Sequence, residues 1–253
     1  MPTESARRNR TELFSNRLAP LANTDPELSE IFDNFAFDQV LEDSGLPVRL
    51  RLIVQLAALI AADSTGQYRT MLEVALAADI TPGELKEVVY QTVPYVGMGR
   101  ASDFLAVTND VLVERGITLP LPGQSTTTVG DRFDKGLAAQ KEIIGAEVID
   151  RLYNAAPADE LHFQRYLSGN CFGDFVTRGL LDVQTRELVV FAALVALGGV
   201  DPQAQSHAGG NLRVGNTRAT MLGVLTCLLP FIGYPRTLNG LRALNAVSPA
   251  APE

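Results

Sequence analysis

The sequence predicts an all-α protein built from two tandem copies of one multi-helix unit. Residues 51–62 (RLIVQLAALIAA) match residues 186–197 (RELVVFAALVAL), and residues 81–100 (TPGELKEVVYQTVPYVGMGR) align with residues 217–236 (TRATMLGVLTCLLPFIGYPR). The offsets are 135 and 136 residues. A period this long indicates a duplicated helical domain rather than a solenoid of short repeats. No stretch alternates apolar and polar residues as a half-buried strand would.

Predicted helices of the first copy, residues 25–116, follow a loosely ordered N-terminal arm over residues 1–24. Asp25-Pro26 and Thr81-Pro82 each combine a capping side chain with a proline suited to the first helical turn, and Glu84 completes a capping box with Thr81. Apolar periodicity and glycine breaks then predict helices over about 26–42, 47–62, 66–78, 82–96 and 98–114.

Residues 117–129 (ITLPLPGQSTTTV) combine prolines, a glycine and a Ser/Thr run, and this composition is typical of a linker. The second copy follows over residues 130–247, and residues 248–253 form a tail that we expect to be disordered. Its predicted helices run over about 131–153, 158–177, 183–198 and from 201, then from 218 and on to 247 after a break at Gly233-Tyr234-Pro235.

Composition narrows the classes of partner. The net charge is −8 without a basic stripe, which argues against binding to nucleic acid or to an anionic membrane surface. Apolar runs near 52–62 and 188–200 are too short to span a bilayer, and the N-terminus lacks the apolar segment of a secretory signal. We therefore expect a soluble, cytoplasmic protein.

The two cysteines, Cys171 and Cys227, lie far apart in apolar stretches. There is no CxxC pair and no spacing typical of metal ligands, so we expect no metal site. Buried free thiols in a reducing compartment are the predicted state of both residues.

Polar residues that only one copy carries are the candidates for function. The second copy has Glu187 and His207 where the first has Leu52 and Met71. Both side chains can accept or donate a proton. Glu187 lies eleven residues before the turn at Gly198 and His207 six residues after Asp201, so direct contact requires tilted helices or a bridging group. The alternatives are a structural histidine and an acid that merely favours the helix dipole.

Further candidates surround this pair. Asp174, in the stretch CFGDF, could reach the same cleft or simply be solvated. Gly209 and Gly210 follow His207 inside a helix, where each costs roughly 1 kcal/mol against alanine, so either close helix packing or room for a ligand should offset them. Arg178 and Arg213 are candidates to bind a substrate carboxylate. Arg186 and Arg236 have counterparts in the first copy, which indicates a structural role.

At these residues the chain resembles the carboxymuconolactone decarboxylase family, which includes the alkylhydroperoxidase D-like proteins. Residues 179–244 are similar to the family core, and residues 138–154 with the CFGDF stretch resemble the segment ahead of it. Residues 27–114 resemble a diverged second copy. The resemblance implies an all-helical fold and a homo-oligomer built from helical hairpins, with a trimer favoured for a tandem chain.

The resemblance also implies what the site does. The peroxidase-like branch of the family needs a CxxC pair, but Val200 and Gln203 stand at its positions here, which excludes that route. The decarboxylase branch needs no metal or organic cofactor and takes a small lactone that bears a carboxylate. It implies that His207 donates a proton or stabilises charge and that Glu187 and Asp174 tune it. Phe172 replaces the aromatic residue usual beside that acid.

Three hypotheses remain open at the level of sequence. The first is a cofactor-independent lyase, or a proton-transfer enzyme such as an isomerase, acting on a small carboxylated lactone or enolisable ring. The second is a non-catalytic oligomeric binding or scaffold protein that has kept the fold. The third is a redox protein that uses Cys171 or Cys227, against which their separation and apolar neighbours argue.

Overall fold

The structure, a computed structural model, describes residues 2–14 and 22–250. These residues form helices and no strand, which confirms the all-α prediction. Before the linker lie α1 (Glu4–Phe14), α2 (Pro26–Asn34), a π-helical segment π1 (Phe35–Gln39), α3 (Val40–Ser44), α4 (Val48–Ala61), α5 (Thr65–Ala77), α6 (Pro82–Val96) and α7 (Met98–Glu114). After it lie α8 (Arg132–Ile144), α9 (Ala146–Ala155), α10 (Leu161–Tyr166), π2 (Leu167–Val176), α11 (Val183–Leu197), α12 (Asp201–Arg213), α13 (Arg218–Ile232) and α14 (Tyr234–Val247).

Local capping explains where several of these helices begin. The Thr81 hydroxyl accepts a bond from the Glu84 backbone N–H while the Glu84 carboxylate accepts one from the Thr81 N–H, as the capping box predicts. Asp182 and Thr217 cap α11 and α13 in the same manner, each accepting from the backbone N–H three residues on. These contacts satisfy N–H groups that have no partner within the helix.

Three sequence expectations differ from the structure. Residues 4–14, predicted as part of a loose arm, form a helix that packs on π1, with the Asn9 amide donating to the Phe37 carbonyl at 2.7 Å. Residues 1 and 15–21 of the predicted arm and residues 251–253 of the predicted tail lie outside the described residues. The helix predicted over 131–153 is broken at Gly145, whose φ of 110° only glycine adopts readily.

The helices predicted over 26–42 and 158–177 each contain a π segment at matching places in the two copies. Gly136 and Gly173 bring α8 and π2 together so closely that a Cβ at 136 would lie 2.0 Å from the Ser168 carbonyl oxygen. A Cβ at 173 would lie 2.1 Å from the Arg132 carbonyl oxygen. This contact fixes the position of π2, and with it Cys171 and Phe172.

The centre of the molecule is formed by α4 and α11, the two helices whose sequences match. Both are buried almost along their whole length, and they pack against each other. α11 also packs on α6 of the first copy, while α4 packs on α13 of the second. Val189 accordingly joins the apolar cluster of Leu52, and Val54 joins the cluster of Phe191. Because the copies interlock, a site in one can receive side chains from the other.

Arg186 has the structural role that its counterpart in the first copy indicated. Its guanidinium is 1 % exposed and donates to Oε2 of Glu87 at 2.9 Å and to Oε1 of Gln91 at 2.8 Å. Both partners lie on α6, so this buried ion pair joins the two copies. Burial lowers the pKa of Arg186, and the bonds to Glu87 act in the opposite direction.

Among the described residues, no single helix is long and apolar enough to cross a membrane. The helical stretches Pro26–Ser44 and Val48–Ala61 meet that standard only when taken together as a pair, and the pair is bent by 120°.

Candidate active site

His207 and Glu187 form a direct, buried pair. Nδ1 of His207 lies 2.9 Å from Oε2 of Glu187, and the two residues are 8 % and 0 % exposed. The sequence left open whether such contact needs a bridging group, and the packing of α11 on α12 makes it without one. A carboxylate bonded to one ring nitrogen fixes the tautomer of an imidazole and stabilises positive charge on the ring.

Gly210 explains how the carboxylate fits between the helices. A Cβ at this position would lie 2.9 Å from Oε2 of Glu187 and 3.1 Å from Cγ2 of Ile143 on α8. Close packing, rather than space for a ligand, is therefore what offsets the glycine at 210. Gly209 is less constrained, since a Cβ there would meet its nearest atoms, on Arg213 and Val247, only at 4.0 Å.

Asn211 is a site residue that the sequence reasoning missed. Its fully buried amide donates to the Glu187 carbonyl at 3.0 Å and to the His207 carbonyl at 2.8 Å. It therefore joins the backbones that carry the paired side chains of Glu187 and His207. An asparagine four residues after the histidine, in the interior of a buried helix, was the available signal, because such an amide normally has a specific partner.

The second carboxylate oxygen of Glu187 has no partner. Oε1 is buried and accepts no hydrogen bond from any described residue. Leaving a buried acceptor unpaired costs about 1–3 kcal/mol, and more when the group is charged. The fold therefore keeps an unsatisfied acceptor beside the imidazole, which a purely structural site would not need.

Tyr95 and Cys171 complete the surroundings of the pair, and the sequence reasoning assigned neither to the site. The Tyr95 ring meets the His207 ring edge-on at 5.6 Å, and its hydroxyl oxygen lies 3.9 Å from the Cys171 sulfur. Burial is the main cause that raises the pKa of Tyr95 well above its usual value, and the neighbouring Cys171 and Glu187 act in the same direction. Its hydroxyl consequently remains a donor at neutral pH.

Asp174 does not join the pair as predicted. Its carboxylate accepts from Nη1 of Arg132 at 2.8 Å and from the Asn170 amide at 3.0 Å, and it forms no hydrogen bond with His207. The π-helical turn of the chain around residue 174 places this acid toward α8, whereas the preceding Cys171 lies against Tyr95.

The two candidate arginines are placed differently. Arg178 donates to Oε1 of Glu87 from both Nε, at 3.0 Å, and Nη2, at 2.9 Å. Its guanidinium lies over the Tyr90 ring at 4.9 Å. It is therefore engaged in the ion pair of Arg186 rather than free for a substrate. Arg213 is exposed, lies 3.4 Å from where a Gly145 Cβ would be, and forms no ion pair with a described residue.

Phe172 is buried in a small cluster with Ile143, Cys171 and Val176, next to Tyr95. It packs the apolar wall behind Cys171. No group of three or more His, Cys, Asp or Glu side chains is arranged to hold a metal ion in the described part of the chain.

Comparison with known protein families now bears on this arrangement. The model of the carboxymuconolactone decarboxylase family matches the chain twice, over residues 26–110 and 162–246, which together exceed half of its length. The chain belongs to the carboxymuconolactone decarboxylase family. The two matched segments also confirm the tandem repeat inferred from the sequence.

A solved structure of a candidate gamma-carboxymuconolactone decarboxylase subunit from Burkholderia xenovorans LB400 is similar in fold. The TM-score is 0.53 at 21 % identity, and the similarity covers 96 % of each chain. Likeness at this identity supports the fold and not a particular activity. No curated protein matches the chain.

The reactivity of Cys171 and Cys227 in the folded protein can be measured. Burial raises the pKa of Cys171 and of Cys227 to about 12, so about one thiol in ten thousand is ionised at pH 8. We expect neither to react with iodoacetamide in the folded protein over an hour, and both to react in urea, as measured by mass spectrometry. Rapid labelling of Cys171 without denaturant would instead favour the redox hypothesis.

Proposed function

We propose that this protein is a cofactor-independent carboxy-lyase that acts on a small lactone bearing a carboxylate, with His207 as the proton carrier. The proposal depends on one observation, the buried contact of 2.9 Å between His207 Nδ1 and Glu187 Oε2. Membership of the carboxymuconolactone decarboxylase family supports the reaction class.

The contact supports separate roles for the two ring nitrogens. Nδ1–H donates to the carboxylate, so Nε2 is the atom that exchanges a proton with a substrate. Nε2 forms no hydrogen bond with a described residue, and the side chain retains 11 % exposure. A positioned imidazole of this kind typically contributes a rate factor of about 10²–10⁴.

The proposed reaction consumes one proton from the solvent and no other reactant. The bond between the ring carbon and the substrate carboxylate breaks, CO₂ leaves, and the electron pair passes into the conjugated lactone carbonyl as a dienolate. Nε2–H of the imidazolium then protonates carbon, and the neutral ring regains a proton from water. Glu187 stabilises the imidazolium before this transfer and does not itself donate or accept the transferred proton.

The alternatives fit the site less well. A scaffold protein would have no need of a buried ionisable pair at a position where the other copy packs Leu52 and Met71. An isomerase could use the same proton carrier, but it would move a proton without releasing CO₂. The product therefore distinguishes the two enzymes.

The decisive experiment measures CO₂ release from carboxymuconolactone by the purified protein. His207→Asn retains an amide donor toward Glu187, so the variant should stay folded, and we expect its kcat to fall by about 10²–10⁴-fold. His162→Asn is the matched control, because the other histidine of the chain is exposed on α10, where its ring packs against Phe163 and Tyr166. Equal CO₂ release by His207→Asn and the unmodified protein would refute the proposal.

We further propose that the protein acts in the cytoplasm as a homo-oligomer, with a trimer favoured. Large apolar side chains at Phe163, Tyr166 and Tyr234 are more than 60 % exposed, which supports an interface between copies. Light scattering should give three times the chain mass of 27.2 kDa, and a monomer at micromolar concentration would contradict this.

A further inference from the structure

The polar groups around His207 come from four elements, one of which belongs to the other copy. Glu187 lies on α11, His207 on α12 and Cys171 on π2, whereas Tyr95 lies near the end of α6 in the first copy. The edge-on contact of 5.6 Å with the imidazole and the 3.9 Å contact with the Cys171 sulfur fix where the phenol lies.

Three of these positions are apolar at the related place in the repeat. Leu52, Met71 and Phe231 stand where the site has Glu187, His207 and Tyr95. Phe231 packs against the cluster that holds Leu52 and Met71, just as Tyr95 packs beside the reactive pair. Since phenylalanine fills the same helical position, the fold does not require the hydroxyl of Tyr95. The hydroxyl is therefore present at the position that lies beside Glu187 and His207. It is absent at the related position, Phe231, which lies beside Leu52 and Met71.

Two polar groups of this cluster, the Tyr95 hydroxyl and Oε1 of Glu187, can form further hydrogen bonds. The Tyr95 hydroxyl has one long hydrogen-bond contact among the described residues, with the Cys171 sulfur at 3.9 Å, so its proton is held only weakly. Oε1 of Glu187 has no donor. A phenol that stays protonated and an imidazole with a free Nε2 thus lie side by side, which suits an anionic oxygen next to a carbon that is to be protonated.

We propose that Tyr95 is a catalytic residue contributed by the first copy, whose hydroxyl donates a hydrogen bond to the anionic lactone oxygen formed when CO₂ leaves. This inference rests on the proposed function, because it assigns the donor that stabilises the dienolate while His207 protonates carbon. The first copy then contributes a side chain to the active site instead of only supporting the fold.

The test compares Tyr95→Phe with Tyr90→Phe, a tyrosine on the same helix that lies against Arg178 instead of His207. Calorimetry measures binding of tetronate, a stable enolate-like lactone anion, and CO₂ release from carboxymuconolactone gives kcat. We expect Tyr95→Phe to bind tetronate about 10–100-fold more weakly. Its kcat should fall about 10²–10³-fold, as when one oxyanion donor is removed. Its melting temperature should not change, and Tyr90→Phe should match the unmodified protein in binding and kcat.

The outcomes separate the two proposals. If the unmodified protein binds tetronate and releases CO₂ but Tyr95→Phe does both equally well, the role of Tyr95 is wrong and the lyase proposal stands. If the unmodified protein does neither, the lyase proposal fails and the role of Tyr95 fails with it. If Tyr95→Phe lowered the melting temperature by several degrees as well as kcat, Tyr95 would be a packing residue only.

Discussion

Replacing Glu87 with glutamine is expected to lower the free energy of unfolding by about 3–5 kcal/mol. Glu87 is 1 % exposed and accepts from Arg178 and from Arg186, so its loss leaves a buried guanidinium without a counter-charge. Glutamine has nearly the same shape, but its NH₂ group would face two donors. Urea unfolding followed by circular dichroism measures the difference.

A surface ion pair provides the control for this substitution. Glu114 pairs with Arg69 between α7 and α5, and both side chains are well exposed. Glu114→Gln should leave the free energy of unfolding almost unchanged, because solvent screens such exposed pairs. If both substitutions had the same small effect, the ion pair that joins the two copies would not be important for stability.

Much of the fold could be predicted from the sequence, because the repeat and the helix caps are local patterns. Thr81, Asp182 and Thr217 stand directly before the helices predicted from residues 82, 183 and 218, and the alignment of the two copies located the central helices. The break at Gly145 and the two π segments were missed, because each is short and is flanked by helices whose apolar pattern predicts one continuous helix.

The site could be predicted only in part, because it is assembled between copies. His207 and Glu187 were found as polar residues without a polar counterpart. Tyr95 has the same signature, a tyrosine aligned with Phe231, but a tyrosine opposite a phenylalanine is a small difference and its helix belongs to the other copy. Asp174 and Arg178 were assigned by chemical type, and their actual partners, Arg132 and Glu87, depend on packing that no local pattern encodes.

Converting the buried pair of Glu187 and His207 to the residues of the first copy is expected to stabilise the protein. In the double variant Glu187→Leu with His207→Met, apolar side chains of similar volume replace a buried ionisable pair that has an unsatisfied oxygen. Such replacements are often neutral or stabilising by about 1–4 kcal/mol. We expect the free energy of unfolding to rise within that range and CO₂ release to disappear.

The single variants show why the pair must be changed together. His207→Met alone leaves the Glu187 carboxylate buried with neither oxygen bonded, and breaking a buried pair in this way costs about 3–5 kcal/mol. A site kept for reaction should therefore give a destabilised single variant and a stabilised double variant. If the double variant were as unstable as the single one, the pair would contribute to folding, and its polarity would need no catalytic explanation.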